Sequence, residues 1–343
     1  MVRIRLSILA SCLALVALPH WGLAADYEDA LRGGYDWNDT TQYDDTIGFE
    51  AGLRYIYSLG QHKYSVNGAT ATIDDTSHIL EGHLRINDYS TNTFLRGTGG
   101  YGIAINGTYA GGAGSFNSGN IAYTVFDLGQ FWLGGEDEGY GVGGFVGYQY
   151  LADNPDVGRA SFTTATSATD VSWSTASTYW TVPYDSEPNA VDIHALRLGA
   201  SLKADLGSMA DVSLDLAAIP YANISGTLGS WGTASYVSGG ATHIQSSATT
   251  LEGWGYGAAA DLMFGLKPVD NVAVRIGGRA QYLQGTYNAI HSIASITNQT
   301  DTDAPPDGVY DTPPTFSNQN VIWTDNPFSM WRLGAVLELS VAF

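Results

Sequence analysis

Met330-Trp331-Arg332-Leu333-Gly334-Ala335-Val336-Leu337-Glu338-Leu339-Ser340-Val341-Ala342-Phe343 is the stretch that decides the fold. Read at period two, Trp331, Leu333, Ala335, Leu337, Leu339, Val341 and Phe343 share one face. Arg332, Gly334, Val336, Glu338, Ser340 and Ala342 share the other. A strand that is apolar on one side and carries an arginine and a glutamate on the other separates two media. Taken alone, the stretch fits either a half-buried strand of a soluble sandwich or a membrane strand with oil outside and a polar interior.

Composition favours the membrane. Only 14% of residues are charged, against about a quarter in a soluble domain, and there are 42 Gly and 21 Tyr. Beyond residue 24 no apolar run is long enough for a spanning helix, which leaves a closed barrel as the way through a bilayer. At the N-terminus Arg3 and Arg5 precede an apolar run from Leu6 to Leu18, and Gly22-Leu23-Ala24 supplies small residues, so residues 1–24 read as a secretory signal peptide. Leu9-Ala10-Ser11-Cys12 has the form of a lipoprotein box, but the apolar run continues past it. Cys12 is the single cysteine, so a processed chain has no disulfide, no thiol nucleophile and no thiolate ligand. The formal charge of -20 includes Arg3 and Arg5, and losing those two leaves -22. Such acidity excludes a nucleic-acid partner.

Residues 25–46 are acidic and aperiodic and read as a periplasmic lead-in to a barrel over 47–343. Ten period-two stretches follow: Ile47–Gly60, Ser77–Asn87, Thr93–Ile105, Ile121–Leu133, Tyr140–Leu151, Ile193–Leu206, Asp211–Tyr221, Leu251–Leu266, Asn271–Tyr287 and Met330–Phe343. In the third, Leu95, Tyr101, Ile103 and Ile105 are assigned to one face. The links alternate. Those after the odd-numbered stretches are long (61–76, 106–120, 152–192, 222–250 and 288–328), and those after the even-numbered ones are tight turns. This is the layout of a transmembrane, antiparallel, up-and-down barrel, all-β, with long loops outside the cell and both termini periplasmic.

The face opposite the apolar one assigns a charged set to the lumen: Glu50, Arg54, Glu81, His83, Arg85, Arg197, Lys203, Asp205, Asp215, Asp261, Arg275, Arg279, Arg332 and Glu338, with Asp127 and Asp211 beside them. In a ten-strand barrel these groups sit close enough to pair. The pairing makes either a salt-bridged plug or a thin polar path for water and small solutes, and Glu50 and Arg54 are the partners expected for Arg332 and Glu338. Trp173, Tyr179, Trp180 and Tyr184 lie in one long link, suited to sugar or protein recognition or to packing on the rim. Asp301, Asp303, Asp307 and Asp311 lack the spacing of a calcium loop, so no metal and no cofactor is expected.

The last stretch also resembles the C-terminal strand of Gram-negative outer-membrane barrels. That resemblance implies that Phe343 is an assembly signal read by the barrel assembly machinery, and that the partners are outer-membrane lipid and lipopolysaccharide. Val125-Phe126-Asp127-Leu128-Gly129, Val142-Gly143-Gly144-Phe145-Val146-Gly147-Tyr148-Gln149-Tyr150, Leu196-Arg197-Leu198-Gly199, Ile219-Pro220-Tyr221 and Ile276-Gly277-Gly278-Arg279 resemble omptin-like barrels. Omptins are surface proteases with an Asp-Asp and an Asp-His pair facing each other across the rim. Here residues 105–120 contain no acid, His243 has no acidic neighbour within 222–250, and Asp192-Ile193-His194 has the parity of the outward Leu196 and Leu198. Without a carboxylate to take the proton, water is not activated. The expectation is a non-enzymatic outer-membrane barrel, structural or weakly pore-forming (porin-like), with a narrow charged lumen. An omptin-type protease and a loop-based adhesin or receptor are the alternatives.

Overall fold

Alternation at period two becomes ten long antiparallel strands in the computed structural model, which describes residues 47–343 apart from 110–113, 136–137, 173–180, 230, 233–234, 270, 298–302, 306–311 and 313. The signal peptide, the lead-in, Trp173, Tyr179, Trp180, Asp301, Asp307 and Asp311 therefore lie outside the described residues. The strands are β1 (Ile47–Val66), β2 (Ala69–Asp88), β3 (Thr93–Tyr109), β4 (Gly119–Gly135) and β5 (Tyr140–Pro155). They continue as β6 (Ala190–Asp205), β7 (Ala210–Leu228), β8 (Thr249–Val269), β9 (Val272–Thr297) and β10 (Phe316–Ala342). Each pairs with the next in sequence, and β10 pairs with both β9 and β1. The ring is closed, so no main-chain edge is left to the lipid.

At the seam, β1 and β10 run in register from Glu50↔Ala342 to Tyr64↔Phe328. The last residue completes it. Phe343 N–H donates to the Phe49 carbonyl and accepts the Phe49 N–H on its own carbonyl, both at 2.9 Å, and the two rings stack with centroids 6.1 Å apart.

The outer wall is a belt of exposed apolar side chains, among them Leu53, Leu84, Leu128, Val146, Leu198, Leu216, Leu262, Ile276 and Leu337. Exposed Tyr55, Tyr57, Tyr101, Tyr148, Tyr221, Tyr256 and Tyr282 ring its upper edge, and Phe49, Trp132, Tyr140 and Phe343 mark the lower. From Ile47 to Leu59 the strand rises about 40 Å along its own direction, or about 30 Å once tilted by roughly 40°, which is the thickness of a hydrocarbon layer.

Above the tyrosines the alternation changes phase. On β1 the outward positions become Gln61 and Lys63, while His62, Tyr64 and Val66 are buried inside. On β9 the outward Ile276 and Tyr282 give way to inward, buried Leu283, Tyr287, Ala289 and Ile293. The physical cause is the medium outside. Against lipid the apolar face must point out, and against water it must point in. The upper interior is accordingly an apolar core that includes Ile73, Ile105, Ile193, Ile219, Ile224, Leu251, Leu283 and Phe328.

Several sequence expectations change in consequence. The links at 61–76 and 288–328 are for the most part continuing strand. β1 and β2 end in a tight turn at Asn67 (φ 50°) and Gly68 (φ 80°), the left-handed pair that a type I′ hairpin requires. Ile105 faces the interior instead of sharing a face with Ile103, because Ile103 is a bulge between Gly102 and Ala104 (His78 pairs with Ala104, but Ile79 pairs with Gly102). A second bulge places Pro220 where no ladder N–H is needed. The turns at the other end are short, falling between Asp88 and Thr93, Gly135 and Tyr140, Asp205 and Ala210, and Val269 and Val272.

Over the top, Ser161–Thr163 pairs with Tyr184–Ser186, and Ala241–Gln245 extends β9 by pairing with Ile293–Thr297. Ala165, Val171, Val182, Ile244 and Ile296 form a separate buried cluster with Phe316, and this is the roof of the barrel.

Deleting Phe343 removes two ladder hydrogen bonds and the stacked ring at the seam. The yield of heat-modifiable, folded barrel in the membrane fraction should fall several-fold, as read by unheated against heated gel mobility. Normal yield would show that the seam closes without it.

Candidate functional site

The inward positions of the lipid-embedded half hold the only dense chemistry in the described residues. At the end with the short turns Lys267 Nζ lies 3.1 Å from Asp205 Oδ1 and 3.6 Å from Asp211 Oδ2. Arg275 donates to Glu338 Oε1 at 2.6 Å and to Asp211 Oδ1 at 3.2 Å, and it also pairs with Glu50. His83 Nε2 lies 3.6 Å from Glu338 Oε1. One layer up, Arg54 donates to Glu81 Oε1 at 3.0 Å and pairs with Glu338, its neighbour in the β1–β10 register.

Arg279 ties the layer across the barrel. It donates to Glu81 Oε2 at 2.5 Å, to Asp261 Oδ2 at 2.7 Å and to the Tyr123 hydroxyl at 3.1 Å, and Tyr123 in turn donates to Glu81. Arg279 is on β9 and Tyr123 on β4, five places apart on a ring of ten, so the contact runs wall to opposite wall. On the β3–β6 side Asp127 accepts from Arg96 at 2.8 Å and from Arg197 at 3.2 Å, while Arg96 also reaches Asp215. The Arg96 and Arg197 guanidiniums lie 5.4 and 5.9 Å from the Phe145 ring centre. Gln149 links Arg197 to Gln281 on β9, each at 3.2 Å. Arg85 sits 4.5 Å over Phe94 and donates to Asn87 at 2.8 Å.

The uppermost ionic group is Arg332. It donates to Asp75 at 3.0 Å and to Asp153 Oδ2 at 2.7 Å, and β10 and β5 are again opposite walls. This corrects the expected pairing: Glu50 belongs to Arg275, and Arg332 takes two aspartates from segments read as loop. The crowding needs glycine. A Cβ at Gly60 would collide with the Asp75 carboxylate and the Arg332 guanidinium, and one at Gly147 would collide with Asp127.

A cavity of about 140 Å³ remains among these groups, room for several waters. Glu50, Arg54, His83, Arg85, Arg197, Lys203, Asp215, Asp261, Arg275, Arg279, Arg332 and Glu338 line it, Glu81 lies behind them with no exposed side-chain surface, and Asp205 sits below at the mouth. Ile56, Ile79, Ile121, Leu151 and Met330 close the upper end. Sequence reasoning left out Arg96, Asp75, Asp153, His62 and Tyr123. Arg96 was readable, since it follows the outward Leu95. The two aspartates were not, because they lie where the alternation has already changed phase.

Asp192, His194 and His243 do not come together across the rim. Asp192 accepts from the Tyr150 hydroxyl at 2.7 Å and His194 meets the Tyr148 hydroxyl at 2.6 Å, both on the outer wall. His243 meets the Ser295 hydroxyl at 2.8 Å.

No family model matches the chain, and no curated protein sequence matches it. Solved structures do resemble it in fold. The outer-membrane protease OmpT from Escherichia coli has a TM-score of 0.46 at 10% identity, over 87% of this chain and 97% of that one. The translocator domain of the autotransporter NalP from Neisseria meningitidis scores 0.35 at 7% identity, over 88% and 90%. The toluene transporter TodX of Pseudomonas putida scores 0.29 at 12% identity, over 87% and 90%. All three are outer-membrane proteins of different activity, and at these identities the likeness says nothing of what this barrel does.

Two predictions follow from the electrostatics. Arg279→Gln leaves the buried Glu81 and its neighbour Asp261 short of a counter-charge and should cost about 3–5 kcal/mol in reversible urea unfolding from lipid or detergent, while the outward Lys63→Gln stays within about 0.5 kcal/mol. In the link between β5 and β6, the Asp170 carboxylate is held below the usual range because it accepts from the Thr166 and Ser167 N–H groups, at 2.8 and 3.0 Å. A depressed pKa gives order that is complete above the unfolded value and lost as pH falls through the folded one. Hydrogen exchange at Thr166 and Ser167 should therefore show protection at neutral pH that disappears in acid beyond the intrinsic rate change, and that is absent at any pH in Asp170→Ala.

Proposed function

We propose that this chain is an integral protein of the Gram-negative outer membrane whose barrel is closed at rest: a non-enzymatic, structural barrel that carries a β-built head above the lipid. The observation that supports it best is the pair of wall-to-wall contacts, Arg279 to Tyr123 and Arg332 to Asp153, lying under an apolar upper interior. Of the 14 Lys and Arg residues three precede Ile47, and of the rest only Lys63 and Arg159 stand outside the lumen and its mouth. The cations are spent on crossing the interior, which suits a plug better than a porin-like path. The short turns are then periplasmic, together with both termini, Phe343 is presented to the barrel assembly machinery, and the belt and tyrosine ring meet lipid and lipopolysaccharide. The omptin-like stretches are read as strand architecture, because Asp192 and His194 face outward and cannot meet groups across the rim.

Insertion of the purified protein into planar bilayers tests the proposal. The expected record is silence at voltages where porins conduct, and steady stepwise conductance on each insertion would overturn it. Peptide cleavage in the presence of lipopolysaccharide that Asp192→Ala abolishes would overturn the non-enzymatic part.

A further inference from the structure

Two buried histidines, His62 and His291, have no hydrogen-bond partner on either ring nitrogen among the described residues, and of the two it is His62 that faces carboxylates. His62 on β1 is 1% exposed, and neither of its ring nitrogens has a hydrogen-bond partner among the described residues. Its ring is held by stacking on Tyr64, with centroids 6.1 Å apart and planes within 9°. Nε2 points at two carboxylates, 3.4 Å from Asp153 Oδ1 and 3.9 Å from Asp75 Oδ1. Asp153 Oδ1 is itself buried without a hydrogen bond. Two buried groups, a donor-acceptor ring and a carboxylate oxygen, thus face each other and leave their bonding capacity unused, which is costly in an interior.

We propose that His62 Nε2, Asp153 Oδ1 and Asp75 Oδ1 bind one divalent metal ion of the zinc class. A separation of 3.4 Å is long for a hydrogen bond between nitrogen and oxygen. It is the ligand-to-ligand edge of a tetrahedron whose metal–ligand bonds are about 2.1 Å. The donor set of one imidazole and two carboxylates, without thiolate, is the borderline-to-hard set that zinc takes, and the fourth position is left for water. With a neutral imidazole the two carboxylates exceed Arg332 by one negative charge, so the cluster draws a cation.

Arg332 holds the ligands in place. It grips Asp153 by Oδ2, at 2.9 and 2.7 Å, which turns Oδ1 toward His62. Asp75 is gripped on both oxygens at 3.0 Å and is also bonded by Ser77, and each carboxylate oxygen has a second lone pair for a metal. Arg332 also lines the cavity below. The other acid–histidine cluster, Glu50, His83 and Glu338, has no counterpart of the buried, unbonded Asp153 Oδ1: Glu338 gives Oε1 to Arg275 and Oε2 to Arg54.

Folded full-length protein in detergent, stripped with chelator, should take up one zinc per barrel in isothermal titration calorimetry. His62→Gln and Asp153→Asn should each weaken binding by more than about tenfold, while His83→Gln leaves it unchanged. Cobalt in place of zinc should give the intense visible bands of a tetrahedral site in the wild type, a reading that stands even if a variant fails to fold. No stoichiometric zinc together with no tetrahedral cobalt spectrum would overturn the proposal and leave His62 as a partner of Asp153 alone. Equal zinc affinity in folded His62→Gln would overturn it too.

Discussion

A closed ladder of main-chain hydrogen bonds has to hold in two media, and most of this structure follows from that constraint. Inside lipid every N–H and C=O must find a partner within the ring, which is why β10 returns to β1 and why Phe343 still exchanges bonds with Phe49. Above the lipid the same strands run on through water. The ladder continues in β1, β9 and β10, with one irregularity between Tyr287 and Ala289, but the apolar side chains change face, and Tyr64, Leu283 and Phe328 turn the upper barrel into a core of the soluble kind. One set of strands therefore carries two opposite hydrophobic patterns joined end to end.

The ionic half of the lumen is better understood as a device for shape than as a source of stability. Buried arginine–carboxylate pairs gain little net free energy over apolar packing, whereas a member left alone is expensive. The network accordingly behaves as a unit whose parts require each other. Arg279 answers Glu81, Asp261 and Tyr123 at once, and Arg275 answers Glu50, Asp211 and Glu338. Because Arg279–Tyr123 and Arg332–Asp153 join opposite walls, they also fix the cross-section of the barrel at the levels where a solute would have to pass.

Ten strands, their order and the outward face of each were legible, because against lipid the alternation is simple and the turns at the lower end are short. Arg54, Glu81 and Arg279 were legible for the same reason, being the other half of that alternation. What was hidden has physical causes. The extensions of β1 and β9 keep period two but exchange faces, so a search for outward apolar residues stops at Leu59 and Tyr282. The bulge at Ile103 inserts one residue with no signature of composition, and it turns Ile105 inward. The partners of Arg332 come from β2 and β5, and only the closed ring brings them to it.

The length of the strands has a further consequence. β9 has 26 residues and β10 has 27, where crossing a bilayer needs about ten. On β10 the run from Phe316 to Trp331 adds about 50 Å of strand, or nearly 40 Å of height once tilted. That run is hydrogen-bonded to its neighbours and filled with side chains, so it is a stiff pedestal. Whatever chemistry stands at the tip is held at a set distance from the membrane.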